Sequence, residues 1–156
     1  MKIILEPMSV ASFERFKVYS IADFAAQMQR TGEWAIDRAP ALAEAAFARL
    51  LPEGLLTADN YLFDIRDRAL GECVGAIWAG VVEEEQREGF IFDLVVHESY
   101  RRKGYARLAM QEVEAFFVTL SVRSIALEVY FDNEGARRLY DESGYQVTSQ
   151  SMRKIL

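Results

Sequence analysis

The sequence predicts a mixed α/β fold, in which one central mixed sheet, mostly antiparallel, carries helices on its faces. Three observations predict it. Short runs rich in β-branched and aromatic residues are interspersed with stretches whose apolar residues recur at helical spacing. Three of those runs follow one another with only polar turns between them, as in an antiparallel meander. The stretch Phe90–Met110, FIFDLVVHESYRRKGYARLAM, then passes from an apolar strand through a basic, glycine-bearing turn into a helix. A further strand follows that helix, which reads as a parallel crossover.

Lys2–Glu6 is a short strand ended by Pro7. Ser9 is placed as an N-cap, and Phe13, Phe16, Tyr19 or Ser20, Phe24 and Met28 mark a helix to about Arg30, closed by Thr31-Gly32. Pro40–Leu51 is a second helix, since Pro suits a first turn and alanines favour the interior. Pro52-Glu53-Gly54 stops it. Asn60–Ile65 and Glu72–Val82 are strands joined by the polar turn Arg66–Gly71, and the glycines of the second mark bulges or close packing. Glu83–Gly89 is a charged, exposed hairpin tip. Phe90–Val96 is the central strand, and Leu108, Val113, Phe116 and Phe117 define one side of the helix after it. Ser124–Tyr130 is a strand, Glu134–Ser143 a short helix and Tyr145–Lys154 a final strand. The chain has 156 residues, with no repeat, low-complexity tract or linker, so residues 1–156 are expected to form a single domain.

Composition narrows the function. A formal net charge of −6 argues against general nucleic-acid binding. Cys73 is the only cysteine, so no intramolecular disulfide can form, and its apolar run makes it a small core residue. His97 is the only histidine, which argues against a Cys/His metal site and leaves it as the one candidate for a Ser-His-Asp triad; it reads as a surface residue. There is no signal peptide and no apolar run long enough to span a bilayer, so a cytoplasmic protein without a membrane partner is expected.

Three features carry chemistry. The first is the turn Arg101–Arg107. N–H groups at a helix start have no partner inside the helix and lie at the positive end of its dipole, so they favour an anion, above all a phosphate. Gly104 lets a ligand approach the backbone, and Arg101, Arg102, Lys103 and Arg107 surround it with positive charge. The second is a pair of strand acids. Alternation puts Glu128 on one face with Ala126 and Tyr130, and Asp93 lies among Ile91, Val95 and the phenylalanines. Each needs solvent or a partner, and both would approach the crevice at the strands' carboxyl ends if the strands are neighbours. The third is NEGARRLYDESGY, Asn133–Tyr145, where Asn133 caps a helix, Ala136, Leu139, Tyr140 and Ser143 share a face and Gly144 stops it.

Together these segments resemble the GNAT superfamily of acetyl-CoA-dependent N-acetyltransferases. Arg101-x-x-Gly104-x-Ala106 is similar to the family's pyrophosphate turn, and Asn133-x-x-Ala136-x-x-Leu139-Tyr140 with Gly144-Tyr145 is similar to its later segment. Tyr105 departs from the aliphatic residue usual inside the turn, and Ala106 from the commoner glycine. The resemblance implies that the Phe90 and Ser124 strands splay apart and that acetyl-CoA, as cosubstrate and without a metal, enters the wedge. It implies that Leu94, Val95 and Val96 bind the pantetheine arm like an added strand. Arg101, Arg102, Lys103, Gly104, Tyr105, Ala106 and Arg107 would hold the pyrophosphate, Asn133 would contact the coenzyme, and Tyr140 would sit near its sulfur. Glu128 stands five residues before Asn133 and twelve before Tyr140, which is similar to the arrangement in ribosomal-protein alanine acetyltransferases, where the matching glutamate is the base; Asp93 is its rival.

The implied reaction is direct attack of a primary amine of a small molecule or peptide on the thioester, with a carboxylate as base and Tyr140 as proton donor to the leaving thiolate. A non-catalytic acyl-CoA-binding module and a phosphate-binding α/β protein of another family stay as alternatives. The acceptor amine is not readable, nor is a choice between acetyl and longer acyl donors, and a homodimer remains an open option. In the family, specificity comes largely from the N-terminal helices, here Phe13–Leu51. Tyr19 and Trp34 are candidate pocket aromatics there, with core packing the more ordinary role.

Overall fold

The computed structural model describes residues 2–83, 85, 87–154 and 156. Its elements are β1 (Ile3–Pro7), α1 (Val10–Arg30), α2 (Ala39–Leu50), β2 (Asn60–Asp67), β3 (Cys73–Glu83), β4 (Glu88–Val96), α3 (Tyr105–Thr119), β5 (Ser124–Leu127) and α4 (Glu134–Glu142). The strands form a single sheet in the order β1-β2-β3-β4-β5. The first three pairings are antiparallel, and β4–β5 is parallel. The expected meander and crossover are both present. Of the charged tip, Glu84 and Gln86 lie outside the described residues.

Strand alternation divides the core between the two faces of the sheet. Ile65, Val74, Ile77 and Ile91 pack on one face against Tyr105, Ala109, Met110, Val113 and Phe117 of α3. Leu62, Ala76 and Trp78 pack on the other against Phe13 and Phe16 of α1 and Phe47 of α2. Helix α1 starts where expected: Ser9 caps it by accepting a hydrogen bond from the Ser12 N–H at 3.1 Å. The Ser12 hydroxyl donates in turn to the buried Asp64 carboxylate at 2.5 Å, which fixes the first turn of α1 on β2. Gly32, at φ +73°, follows the C-cap Thr31.

Two expected strands are altered. The Ser124–Tyr130 strand stops at Leu127, so Glu128 lies just beyond it and not in its middle. Long-range contacts draw the following residues toward α1: the Tyr130 hydroxyl lies 3.7 Å from Met28 Sδ, and Arg30 Nε pairs with Asp132 at 2.9 Å. The final strand Tyr145–Lys154 does not form. That segment has no apolar face to bury, since Val147 and Met152 are 70 % and 90 % exposed. Arg153 instead donates to the Gly32 carbonyl at 3.0 Å and pairs with Glu33.

One irregularity matters for the site. Trp78 of β3 pairs with Asp93, and the next residue, Ala79, pairs with Ile91. Phe92 is therefore the extra residue of a β-bulge, a device that bends a strand and re-aims its side chains. Its ring stacks on Trp78 with centroids 4.5 Å apart. Near the end of β4, Gly75 of β3 lies so close to the Val95 carbonyl that a Cβ would collide with it. Gly75→Ala is expected to push β4 away and to lower the unfolding free energy by about 2 kcal/mol, within the range for overpacking, as read by urea denaturation.

Candidate active site

Parallel pairing of β4 with β5 lasts only from Glu88↔Ser124 to Ile91↔Leu127. Beyond it β4 continues to Val96 with no strand on its outer side. The two chains part there and open a cleft of about 720 Å³. One wall is β4 from Phe90 to Val96. The opposite wall is the stretch after β5, Glu128–Tyr130 with Asp132 and Asn133, and the α4 residues Ala136, Leu139 and Tyr140. Tyr19, Ser20, Asp23 and Phe24 of α1 close a third side, and Arg101 and Ala106 stand at the end near the basic turn.

That turn has the geometry of an anion site. Arg102 and Gly104 both have positive φ, +62° and +87°, which Gly104 adopts without strain. Gly104 is the N-cap of α3 and offers no side-chain cap. The first bond of the ladder runs from the Leu108 N–H to the Gly104 carbonyl at 3.2 Å. The N–H groups before Leu108 therefore precede the ladder and face outward at the positive end of the helix dipole. Arg101, Arg102, Lys103, Gly104 and Arg107 are exposed around the turn. Arg101 Nε donates to the Val96 carbonyl at 2.9 Å, Lys103 Nζ to the Ser99 carbonyl at 2.9 Å, and Arg107 pairs with Glu142 of α4. Tyr105 differs from these: its side chain is buried under the turn, and its hydroxyl donates to Asp67 at 2.7 Å.

Of the candidate acids, Asp93 is half-buried in the β4 wall of the cleft. The bulge turns it to the α1 side, where the Ser20 hydroxyl donates to its Oδ2 at 2.8 Å. Burial pushes its carboxyl up from 3.8 to about 6; the Ser20 hydrogen bond opposes that rise and Asp23 adds to it. Glu128 is exposed at the rim. Tyr140 is half-buried, and its hydroxyl is raised above the ordinary phenol range by burial first and by the charge of Asp93 second. Asn133 lines the cleft and caps α4, its Oδ1 accepting from the Ala136 N–H at 3.1 Å. All three candidate acid–base residues, Asp93, Glu128 and Tyr140, thus border one cavity, together with Leu94, Val95, Val96 and the entrance to the turn.

Sequence reasoning missed Ser20, and of the two candidate pocket aromatics it named, Tyr19 and Trp34, only Tyr19 lines the cleft. Tyr19 is 42 % exposed and lines the cleft, whereas core packing was the more ordinary expectation. Trp34 does pack, edge-on to Phe24 at 5.2 Å. A signal for Ser20 was present: it is a polar residue on the apolar stripe of Phe13 and Phe16, where burial demands a partner. Among the described residues no cluster of His, Cys, Asp and Glu could hold a metal ion.

The model of the acetyltransferase (GNAT) family matches residues 23–145. The chain belongs to this family. An uncharacterized N-acetyltransferase of Bacillus subtilis, YycN, is 32 % identical over 157 residues that cover the whole of both chains. A second from the same organism, YdgE, is 33 % identical and covers 100 % of this chain and 99 % of its own. The crystal structure of YycN superposes with a TM-score of 0.94 over 99 % of each chain. A GCN5-related N-acetyltransferase from Ralstonia eutropha shares the fold alone, at a TM-score of 0.71, 20 % identity and 99 % coverage of each chain. GNAT enzymes transfer acetyl groups to amines, in general from acetyl-CoA, and the expected family and its mixed, mostly antiparallel fold are borne out.

The half-buried Asp93 ties protonation to stability. Its folded pKa lies above the unfolded value, so its favourable contribution is complete below about pH 4 and is lost as the pH rises through about 6. Ionised and half-buried, it costs on the order of 3 kcal/mol above that range. Asp93→Asn, which can keep the Ser20 hydrogen bond, is expected to raise the melting temperature by several degrees at pH 8 and not at pH 4, measured by differential scanning calorimetry.

Proposed function

We propose that this GNAT protein moves an acetyl group from acetyl-CoA to a primary amine of a small molecule or peptide, by direct attack with both substrates bound. The observation that carries the reading is the parting of β4 from β5, with an uncapped helix start at one end of the gap and the half-buried Asp93 carboxylate in its wall. The residues fit the coenzyme. The outer edge of Leu94, Val95 and Val96, which no strand covers and where the Val96 carbonyl accepts from Arg101, suits an amide-bearing arm added like a strand. The N–H groups between Arg102 and Arg107 suit a diphosphate, and Asn133 stands where it would contact the coenzyme. Bound there, acetyl-CoA supplies a thioester carbonyl and a thiolate leaving group.

The acceptor enters from the α1 side, where Asp23 and Asp93, with Glu128 on the wall after β5, give the cleft a negative field that draws an ammonium ion. Asp93 takes the ammonium proton, and the neutral amine becomes a nucleophile. Support for Asp93 over Glu128 as base is its burial and its pKa of about 6, close to the value an efficient base needs near neutral pH. Backbone N–H groups of the β4 edge donate to the carbonyl oxygen as it gains charge. The Tyr140 hydroxyl gives its proton to the departing sulfur, and the second proton lost by the acylated nitrogen restores the hydroxyl. Cys73 lies at the start of β3, away from the residues that line the cleft, and the direct route needs no enzyme nucleophile.

The test is release of CoA thiol across a panel of polyamines, aminoglycosides, amino acids and peptide N-termini. With an accepted amine, log kcat is expected to rise with pH and level off above about 6, because the base must be ionised. Asp93→Asn should lower kcat about 10²-fold or more and remove the bend. Tyr140→Phe should also lower kcat, and Glu128→Gln should raise KM for the amine with little change in kcat. Tight CoA binding with no transfer to any amine would favour a non-catalytic acyl-CoA-binding module.

A further inference from the structure

Within the basic turn, residues 101–107, Tyr105 alone is buried. It is the first residue of α3, yet only 4 % exposed. Its hydroxyl reaches back under the turn and donates to Asp67 Oδ2 at 2.7 Å, a contact between residues 38 apart in sequence. Asp67 is 3 % exposed, at the last position of β2. Its other oxygen accepts from the Ala69 N–H at 2.7 Å and the Leu70 N–H at 3.0 Å. The carboxylate is thereby fixed to the β2–β3 hairpin and cannot follow the helix if the helix moves.

Side chains hold the rim of the turn, Arg101 on the Val96 carbonyl, Lys103 on the Ser99 carbonyl and Arg107 on Glu142, but none of these bonds reaches the β2–β3 hairpin. Two residues with positive φ, Arg102 and Gly104, precede α3, and no side chain caps the helix. Support comes from below. The Tyr105 ring meets Tyr100 edge-on at 6.0 Å, Tyr100 donates its hydroxyl to Glu72, and Lys103 Nζ lies 5.5 Å from the centre of the Tyr100 ring. An aliphatic residue at this position would fill space but would make no directional bond to the sheet.

We propose that Tyr105 is a positioning residue for diphosphate binding: through Asp67 it locks the start of α3 to the β2–β3 hairpin, so that the N–H groups of the turn are held ready for the coenzyme's diphosphate. The proposal rests on the acetyl-CoA reading above. It predicts a loss confined to the part of the coenzyme that meets the turn.

Pantetheine, which has the coenzyme's arm without the diphosphate, separates the possibilities. CoA affinity is measured by titration calorimetry and pantetheine affinity by NMR titration, for the parent chain, Tyr105→Phe, Asp67→Asn and the double variant. The parent should bind CoA at least tenfold more tightly than pantetheine; no such preference sinks the acetyl-CoA reading itself. Given that preference, each single variant should lose about five- to tenfold in CoA affinity and stay within twofold for pantetheine, and the double variant should be no worse than the weaker single. Unchanged CoA affinity overturns the proposal, and so does an equal loss on both ligands, which would mean general loosening of the fold. Near-UV circular dichroism checks each variant's fold, and Asp67→Asn carries the comparison alone should Tyr105→Phe fail to fold.

Discussion

The functional architecture depends on one break in backbone pairing. After Ile91↔Leu127 the two parallel strands no longer bond to each other. The break is produced from both sides. On β4, the bulge at Phe92, seated by its stack on Trp78, bends the strand. On the other side, Tyr130 and Asp132 are drawn to Met28 and Arg30 at the end of α1, which pulls the chain out of the sheet. A strand edge left without a neighbouring strand would ordinarily be a liability. Here it faces a cleft between the two halves of the structure, with the helix start of α3 at one end and the α1 residues Tyr19, Ser20 and Asp23 along one side.

The same break places a carboxylate where it is energetically unfavourable. Asp93 follows the bulge, so it faces inward toward α1 and loses most of its water. Only the Ser20 hydroxyl partly compensates through its side chain. A group chosen for stability alone would be apolar or better paired; a group that must accept a proton near neutral pH needs this elevated pKa. The opposite choice is visible at Asp67, where three donors hold a buried carboxyl below its ordinary range, the Tyr105 hydroxyl foremost. The half-buried acid is pushed toward protonation at the cleft, and the buried one beneath the turn is kept ionised.

Local signals were legible in the sequence and long-range ones were not. Ser9 and Asn133 both cap the helices they were expected to cap, and the Arg101–Arg107 turn opens α3 as its glycine and charges imply. These depend on neighbours within a few residues. The end of β5 does not: Glu128, Val129 and Tyr130 continue a plausible strand pattern, and contacts to residues 102 positions away stop it. The absent C-terminal strand is a case of pattern without driving force, since alternation alone cannot hold a segment in which, after Tyr145, Val147 and Met152 stay exposed. Tyr105 was visible as a departure inside the turn, but its reason, Asp67, lies in another part of the chain.

The central claim is that the gap between β4 and β5 takes up the coenzyme's arm while the start of α3 takes its diphosphate. Amide hydrogen exchange with and without CoA measures both at once. The account predicts slowed exchange in two separated stretches, residues 92–96 and 102–107, with little change along the exposed face of α2. Binding that leaves both stretches exchanging as before, or that protects residues elsewhere in the chain, would contradict it.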